Sequence, residues 1–384
     1  MTVTPAGAVS HRTPEIEVLE DGARFAALED EWLGLYNASA TVTPFQSWQW
    51  LYSWWECYGE EYGLRLVTLR DPDSGILVAI LPLMLERRRG FGRLLFVGTG
   101  LTDYLDVLVR DGWQEPVAES SVRALEQMGS WQTADLQELR PEAAAWETFA
   151  GWPTGVSGVQ QSGCPVVYVG DWEDLLAYMS IKARSNVRRS LRRAKRDGLV
   201  RRTVPSGESV RAARRFLELH REMRQGREIA PEHTSPRFER CIEALIHRGS
   251  DEDLVRLEEF WLAGEVVASQ LIFLGKDRIA GYLYGASEEF ARRYQISSIF
   301  HWSGFDLARE RGAPLLDLLR GEEEHKLRWT PEVRYNARLI LGRNRGYGNA
   351  YAGYRASRYA MRRYLDSGSA PEWARRLASP LRGR

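Results

Sequence analysis

Along the first third of the chain, apolar residues fall into short runs broken by polar turns, and one segment has a helical period. Phe45, Trp48, Leu51, Tyr52 and Trp55 recur three and four residues apart, which predicts a helix over 45–58 with an aromatic face turned to a core. Runs at 64–70 and 76–85 read as strands joined by Asp71-Pro72-Asp73-Ser74-Gly75, a turn that predicts a hairpin. Strands at 93–97 and 104–109, a helix over 115–128 and a strand at 134–139 follow. The order returns further on, with strands at 254–262, 265–274 and 278–286 linked by Ala263-Gly264 and Gly275-Lys276-Asp277, then a helix over 297–311 and a strand at 314–319. Meander, helix and strand, found twice, predict an α/β (α+β) chain of two tandem units, each a mainly antiparallel mixed sheet flanked by helices.

A length of 384 residues agrees with two domains. The stretch 141–170, rich in Gly, Pro and Ser, is the expected boundary. The expected organisation is a mobile tail over 1–14, domains over 15–160 and 165–342, and an Arg- and Tyr-rich helical tail over 343–384. Hydrophobic residues make up 44% and aromatic residues 11%, which excludes wholesale disorder, and the net charge of zero removes any global attraction to nucleic acid or membrane. The apolar run at 76–85 is about half the length a bilayer demands and reads as a buried strand. The start of the chain has no basic segment followed by an apolar core, so the expectation is a cytoplasmic protein. Cys57, Cys164 and Cys241 are far apart and odd in number, which argues against a disulfide framework or a zinc site and makes each a small buried hydrophobe. The six His have no metal-ligand spacing, and no metal is expected.

Local charge is another matter. Between 182 and 202 ten Lys and Arg stand against one acid, Asp197, while Val187, Leu191 and Ala194 recur at helical spacing. A helix over 181–197 with one packed stripe and a cationic remainder calls for an anionic partner: a substrate phosphate, a glycan diphosphate carrier, CoA phosphates, an acidic lipid surface or tRNA. Arg184, Arg188 and Arg192 lie at successive turns and suit bidentate phosphate binding. Beyond 342 ten Arg accompany only Asp366 and Glu372, with Tyr351, Tyr354, Tyr359 and Tyr364 interleaved; this fits a docked helix or a peripheral contact with the inner face of a membrane.

The segment 315–329, Leu-Leu-Asp-Leu-Leu-Arg-Gly-Glu-Glu-Glu-His-Lys-Leu-Arg-Trp, leaves an apolar strand directly into charge. It places Asp317, Arg320, Glu322 and Lys326 at a strand end, where low dielectric strengthens charge interactions. Together with the Trp-rich 45–59, Ile80-Leu81-Pro82-Leu83, Asp103-Tyr104-Leu105-Asp106 and the basic 182–189, it resembles the acyltransferase domain of CelD/BcsL-like proteins over roughly 15–342. These are GNAT-superfamily N-acyltransferases, and FemAB-like aminoacyl transferases share the general pattern. The resemblance implies acyl-CoA (acetyl-CoA) as co-substrate, its pyrophosphate at the junction of strand 278–286 and the next helix, where helical N–H groups and the dipole favour an anion. Gln270, Leu271, Ser297 and Ser298 become donor contacts, although the junction reads Ile296-Ser297-Ser298-Ile299 and has no Gly to admit close backbone approach.

It also implies Asp103, Tyr104 and Asp106 as acceptor contacts across an inter-domain cleft. Amine acylation needs a base, oxyanion stabilisation and protonation of a thiolate. Asp317 or Glu322 is the expected base and Tyr284 or Tyr335 the acid, while Arg320 and Lys326, with Arg184 and Arg188 on the basic helix, hold negative groups. The acceptor is expected to be a small molecule or a glycan, such as a sugar or envelope polysaccharide precursor. Two alternatives stand beside this reading: a FemAB-like transferase using aminoacyl-tRNA on a peptidoglycan precursor, and a non-catalytic GNAT-like module that binds an anionic glycan or lipid. Val97-Gly98-Thr99-Gly100 is a lone Gly-x-Gly and does not make a dinucleotide site.

Overall fold

The computed structural model describes residues 13–224 and 231–366. Most of the expected N-terminal tail and 367–384 of the expected C-terminal tail lie outside the described residues. The chain begins with β1 (Glu15–Leu19), the aromatic helix α1 (Trp48–Tyr58), β2 (Gly63–Arg70), β3 (Leu77–Arg88), β4 (Phe91–Phe96) and β5 (Leu108–Val109). It continues through α2 (Gln114–Gln127), β6 (Thr133–Leu139) and β7 (Val156–Tyr168). The second half contains α3 (Ile181–Arg196), β8 (Val200–Thr203), α4 (Ser209–Arg224), α5 (Pro236–Gly249), β9 (Val255–Leu262), β10 (Glu265–Leu274) and β11 (Arg278–Ala286). It closes with α6 (Ile296–Glu310), β12 (Leu315–Asp317), β13 (Val333–Gly342) and α7 (Arg345–Asp366). The expected meanders and helices fall within a few residues of these bounds. The exception is the strand expected at 104–109, which forms only at Leu108 and Val109 because Asp103, Tyr104 and Asp106 are drawn into side-chain contacts described below.

Both halves share one mixed sheet in the order β1-β2-β3-β4-β6-β13-β7-β12-β11-β10-β9-β8, with β5 on β3. Its neighbours are antiparallel except for β4 with β6 and β11 with β12. The middle of the sheet is an exchange: β13, last of the strands, inserts beside β6 of the first half, and β7 runs on to pair with β12 of the second. The Gly-, Pro- and Ser-rich stretch expected to hold a linker therefore carries a short helix (Ala145–Thr148) and the 13-residue β7. Of its glycines, Gly163 makes a close approach, since a Cβ there would lie 2.5 Å from Oε1 of Glu322.

The aromatic face of α1 packs across the junction of the halves. Ser47 caps the helix by accepting from the Trp50 N–H. The Trp50 indole donates to Thr102 Oγ1 at 2.9 Å, and the Phe45 ring lies 4.6 Å from that of Phe273 and 5.6 Å from that of Tyr282. Lys276 reinforces the junction by donating to the carbonyls of Tyr36, Asn37 and Ser39 at 2.9–3.0 Å, capping the end of a helix in the other half. Cys57 and Cys241, distant in sequence, meet as free thiols where α1 packs on α5.

α4 lies backbone-close on β11. A Cβ at Gly285 would lie 2.4 Å from the His220 nitrogen and 2.7 Å from the Leu219 carbonyl carbon. Gly285→Ala should cost about 1–3 kcal/mol by overpacking against backbone. Gly281→Ala, on the same strand with nothing within 4 Å, should stay within about 1 kcal/mol of wild type. Denaturant unfolding of both variants checks the contrast, and equal losses would refute the packing account.

Candidate active site

The candidate site lies where β11 and β12 part. They pair only over Arg278, Ile279 and Ala280 against Leu315, Leu316 and Asp317, while β11 runs on to Ala286. In the continuing stretch, Leu271 of β10 faces Leu283 and Ile272 faces Gly281, which leaves Tyr282 as the extra residue of a β-bulge. Bulges re-aim side chains and recur beside active sites. Here the Tyr282 hydroxyl reaches into the first half and donates to the Leu101 carbonyl at 3.1 Å.

Two charged clusters close the inner end. Asp317, fully buried, accepts from the Arg278 guanidinium at 3.0 Å and the Leu319 N–H at 2.9 Å, and the Tyr104 hydroxyl lies 2.9 Å from both its oxygens. Burial, with the Asp317 charge beside it, pushes the Tyr104 phenol well above its usual range. The second cluster centres on Arg320, which donates to Asp103 and, at 3.2 Å, to Glu138. Glu138 also accepts from Ser162 at 2.9 Å and from Asn336 at 3.0 Å. Burial pulls the Arg320 guanidinium down, yet Asp103 and Glu138 together hold it above its ordinary value. The Asp103 carboxyl is raised because desolvation outweighs the Arg320 cation. Leu319 (φ 59°) and Glu138 (φ 53°), which flank this cluster, both occupy the left-handed region. Such strain, of order 1–3 kcal/mol each, persists where surrounding contacts over-determine the backbone.

Lys326 donates to the Arg320 carbonyl at 2.6 Å, so it braces the turn from beneath. Glu322 is exposed over Gly163 and accepts from the Tyr335 hydroxyl at 3.2 Å. The structure thus gathers Asp103, Tyr104, Asp317, Arg320, Glu322 and Lys326, drawn from both halves.

Several expected contacts are corrected by burial. Asp317 has both oxygens engaged and is not placed to take a proton from an acceptor; Tyr104, 3% exposed, is its partner and faces no open cleft. Asp106 is buried and accepts from the N–H groups of Val107, Ala144 and Ala145 at 2.8–2.9 Å, holding the start of the helix after β6. Desolvation pushes its carboxyl up to about 6 against those three donors. The Gln270 amide nitrogen donates to Glu258 at 2.8 Å and to Ser303 at 3.0 Å, Leu271 is fully buried, and β10 is hydrogen-bonded on both edges. Neither residue turns a free group to the site. Tyr284 packs on Phe300 with ring centres 5.1 Å apart, and its carbonyl faces Nδ1 of His220 at 2.7 Å.

The N-terminus of α6 adjoins the unpaired stretch of β11. Gln295, its cap position, makes no side-chain cap bond, and its N–H donates to Ser190 Oγ of α3 at 3.0 Å. Oε1 of Gln295, Oγ of Ser298 and Nδ1 of His301 are buried without a hydrogen-bond partner on the first turns of this helix. Ser297 is half-buried. The basic helix α3 therefore borders the junction expected to hold the donor, which sequence spacing alone did not connect. On α3 itself, Arg188 pairs with Glu173, and Arg184 donates to the carbonyls of Ala177 and Met179 at 3.4 Å.

Two residues of the neighbourhood were not expected. His220 and His233 lie with ring centres 5.7 Å apart, and His233 stacks on Phe238 at 4.5 Å. Nε2 of His220 and Nδ1 of His233 are buried without partners. Desolvation lowers them to about 4 and about 3. The available signal was position: Ala213, Phe216, Leu217 and His220 form the i, i+3, i+4, i+7 stripe of α4, a polar ring where an apolar residue is usual.

Residues 182–327 match the family model described as an acetyltransferase (GNAT) domain. FemX shares the fold, with a TM-score of 0.60 at 11% identity over 88% of this chain and 100% of that one. So does L-PGS from Bacillus licheniformis, with a TM-score of 0.55 at 13% identity over 86% of this chain and 96% of that one. No curated protein matches the chain. The family match thus falls within the second half of the chain, in a mixed α/β fold whose large sheet is flanked by helices. No helix among the described residues is long and apolar enough to cross a membrane, and they contain no cluster of ligands fit for a metal ion.

The depressed His220 has a linked consequence. Its folded value of about 4 lies below the unfolded 6.5, so the unfolded chain binds the proton first and stability falls as pH drops from about 6.5 to about 4. Over that window the loss should reach roughly 3 kcal/mol for this group. His220→Asn, which keeps a donor for the Tyr284 carbonyl, should flatten the acid limb of a melting-temperature profile; an unchanged limb would refute the assignment.

Proposed function

We propose that the protein is an acyl-CoA-dependent N-acyltransferase that moves an acyl group, acetyl being the simplest, onto an amine acceptor such as a sugar or envelope polysaccharide precursor of the kind handled by CelD/BcsL-like enzymes. The observation that carries this reading is the opening between β11 and β12 beside the N-terminus of α6, where Ser298 Oγ and Gln295 Oε1 are buried without partners. Orphaned polar atoms at a helix N-terminus fit a phosphate-bearing ligand, because the unpaired N–H groups and the dipole favour negative charge there. In this reading Ser297 and Ser298 hold the donor's pyrophosphate, and β11 around Gly281 and Tyr282, before α4 closes on Tyr284 and Gly285, takes the acyl-bearing arm. The bulged Tyr282 marks the reacting carbonyl.

The acceptor amine enters from the side of Asp103 and Arg320. Attack forms the C–N bond through a tetrahedral oxyanion, the C–S bond breaks, and the thiolate takes a proton. Asp317 and Tyr104 act as scaffold. The exposed Glu322, with Tyr335 against it, is the carboxylate best placed to receive the ammonium proton, and Tyr284 is placed on the donor side to protonate the thiolate. Arg320 fixes an anionic group of the acceptor while remaining charged. The basic face of α3 supports a second reading, in which the donor is an aminoacyl-tRNA; this predicts RNA binding where the first predicts none.

Titration calorimetry with acetyl-CoA tests the donor. Ser297→Glu, at a half-buried position, should weaken binding by at least about tenfold by setting a carboxylate where the pyrophosphate lies. Unchanged affinity, or tight binding of aminoacyl-tRNA with none of acetyl-CoA, would overturn the acyl-CoA reading. Glu322→Gln should then lower turnover about a hundredfold with melting temperature unchanged, because it removes a general base from an exposed site.

A further inference from the structure

We propose that the outward face of α3, with Tyr178 at its entrance, docks the protein on an anionic phospholipid bilayer. Eight of the 16 residues of α3 are Lys or Arg and none is acidic. Val187, Ser190 and Ala194 form the buried stripe. At 100° per residue the opposite side presents Ile181, Lys182, Arg189, Arg192 and Arg196 together. Acids meet only part of this charge: Arg188 pairs with Glu173 and Arg196 with Asp197. Lys182, Arg189, Arg192 and Lys195 are exposed and pair with no carboxylate among the described residues.

Cations alone would fit any polyanion, and the apolar residues at one end of the face decide between candidates. Ile181 is 85% exposed and Tyr178 is 71% exposed, higher than any other large hydrophobic residue among those described. They lie three residues apart, at the turn into the helix and beside Lys182. A soluble phosphate leaves both in water, and RNA offers a stacking partner to Tyr178 but nothing to Ile181. A bilayer accepts both: anionic headgroups meet the Lys and Arg rows, Tyr178 sits at the headgroup level and Ile181 enters the acyl boundary. The inner edge of α3 meets α6 through Ser190 and Gln295, so docking on the outer face leaves the donor junction unobstructed. The proposal rests on the acyl-CoA reading, since an aminoacyl-tRNA donor would itself lie along the basic face of α3.

The test is co-sedimentation of the full-length protein with phosphatidylcholine vesicles, with or without phosphatidylglycerol. Binding is expected to the phosphatidylglycerol vesicles alone and should weaken as salt rises. Tyr178→Ser with Ile181→Ser, which leaves the charge unaltered, should lower the affinity several-fold, and Lys182→Glu with Arg189→Glu should lower it at least about tenfold. All four positions are exposed, so melting temperatures should match wild type. The proposal is overturned if wild-type protein stays in the supernatant at low salt, if the double Ser variant binds as wild type does, or if an RNA oligonucleotide is bound while vesicles are not.

Discussion

The candidate site depends on a buried carboxylate that cannot be left alone. Asp317 ends β12 with no exposure to solvent, and an ion in that setting is tolerated only when its oxygens are saturated by well-placed donors. Those donors come from three places: Arg278 on β11, Tyr104 from a loop of the first half, and the backbone just past the strand. The demand of one charge for neutralisation therefore locks the first half onto the point where β11 and β12 diverge. Arg320, three residues on, repeats the arrangement with Asp103 and Glu138, so the wall of the site is built by the same electrostatics twice.

This also explains why some residues that look catalytic on composition are not available for catalysis. A carboxylate at a strand end reads the same in sequence whether it faces solvent or a guanidinium. Asp103, Asp106 and Asp317 all proved to be buried and partnered, whereas Glu322, in the same charged run as Arg320, remains open to solvent. The distinction rests on contacts more than 200 residues apart, such as Tyr104 with Asp317, which no local pattern encodes.

What was legible follows from range. The hairpins of β2 with β3 and of β9, β10 and β11 were readable because alternation and turn residues act over a few positions, and α1, α2, α3 and α6 because a packed stripe imposes its period. The exchange of β7 and β13 was not readable, since a strand rich in Gly and Ser carries a weak apolar signal and looks like a linker. The donor contacts expected at Gln270 and Leu271 belonged to a strand paired on both sides, a fact that appears only once the sheet order is known. The adjacency of α3 and α6 through Ser190 and Gln295 was equally hidden, although each helix was found separately.

The exchanged strands have a consequence for how the chain is made. β6 is synthesised by residue 139, but its neighbour β13 begins at residue 333, so for about half of translation the edge of the first sheet has no partner. Neither half can finish its sheet from its own residues, and the last pairing closes a loop of nearly two hundred residues, which makes it slow by topology alone. An open strand edge held for that long is a hazard for misassociation. Arg93 of β4 and Asp135 of β6 put charge on the sheet face beside that edge, which β13 and α7 later cover through Arg338, Tyr351 and Arg355.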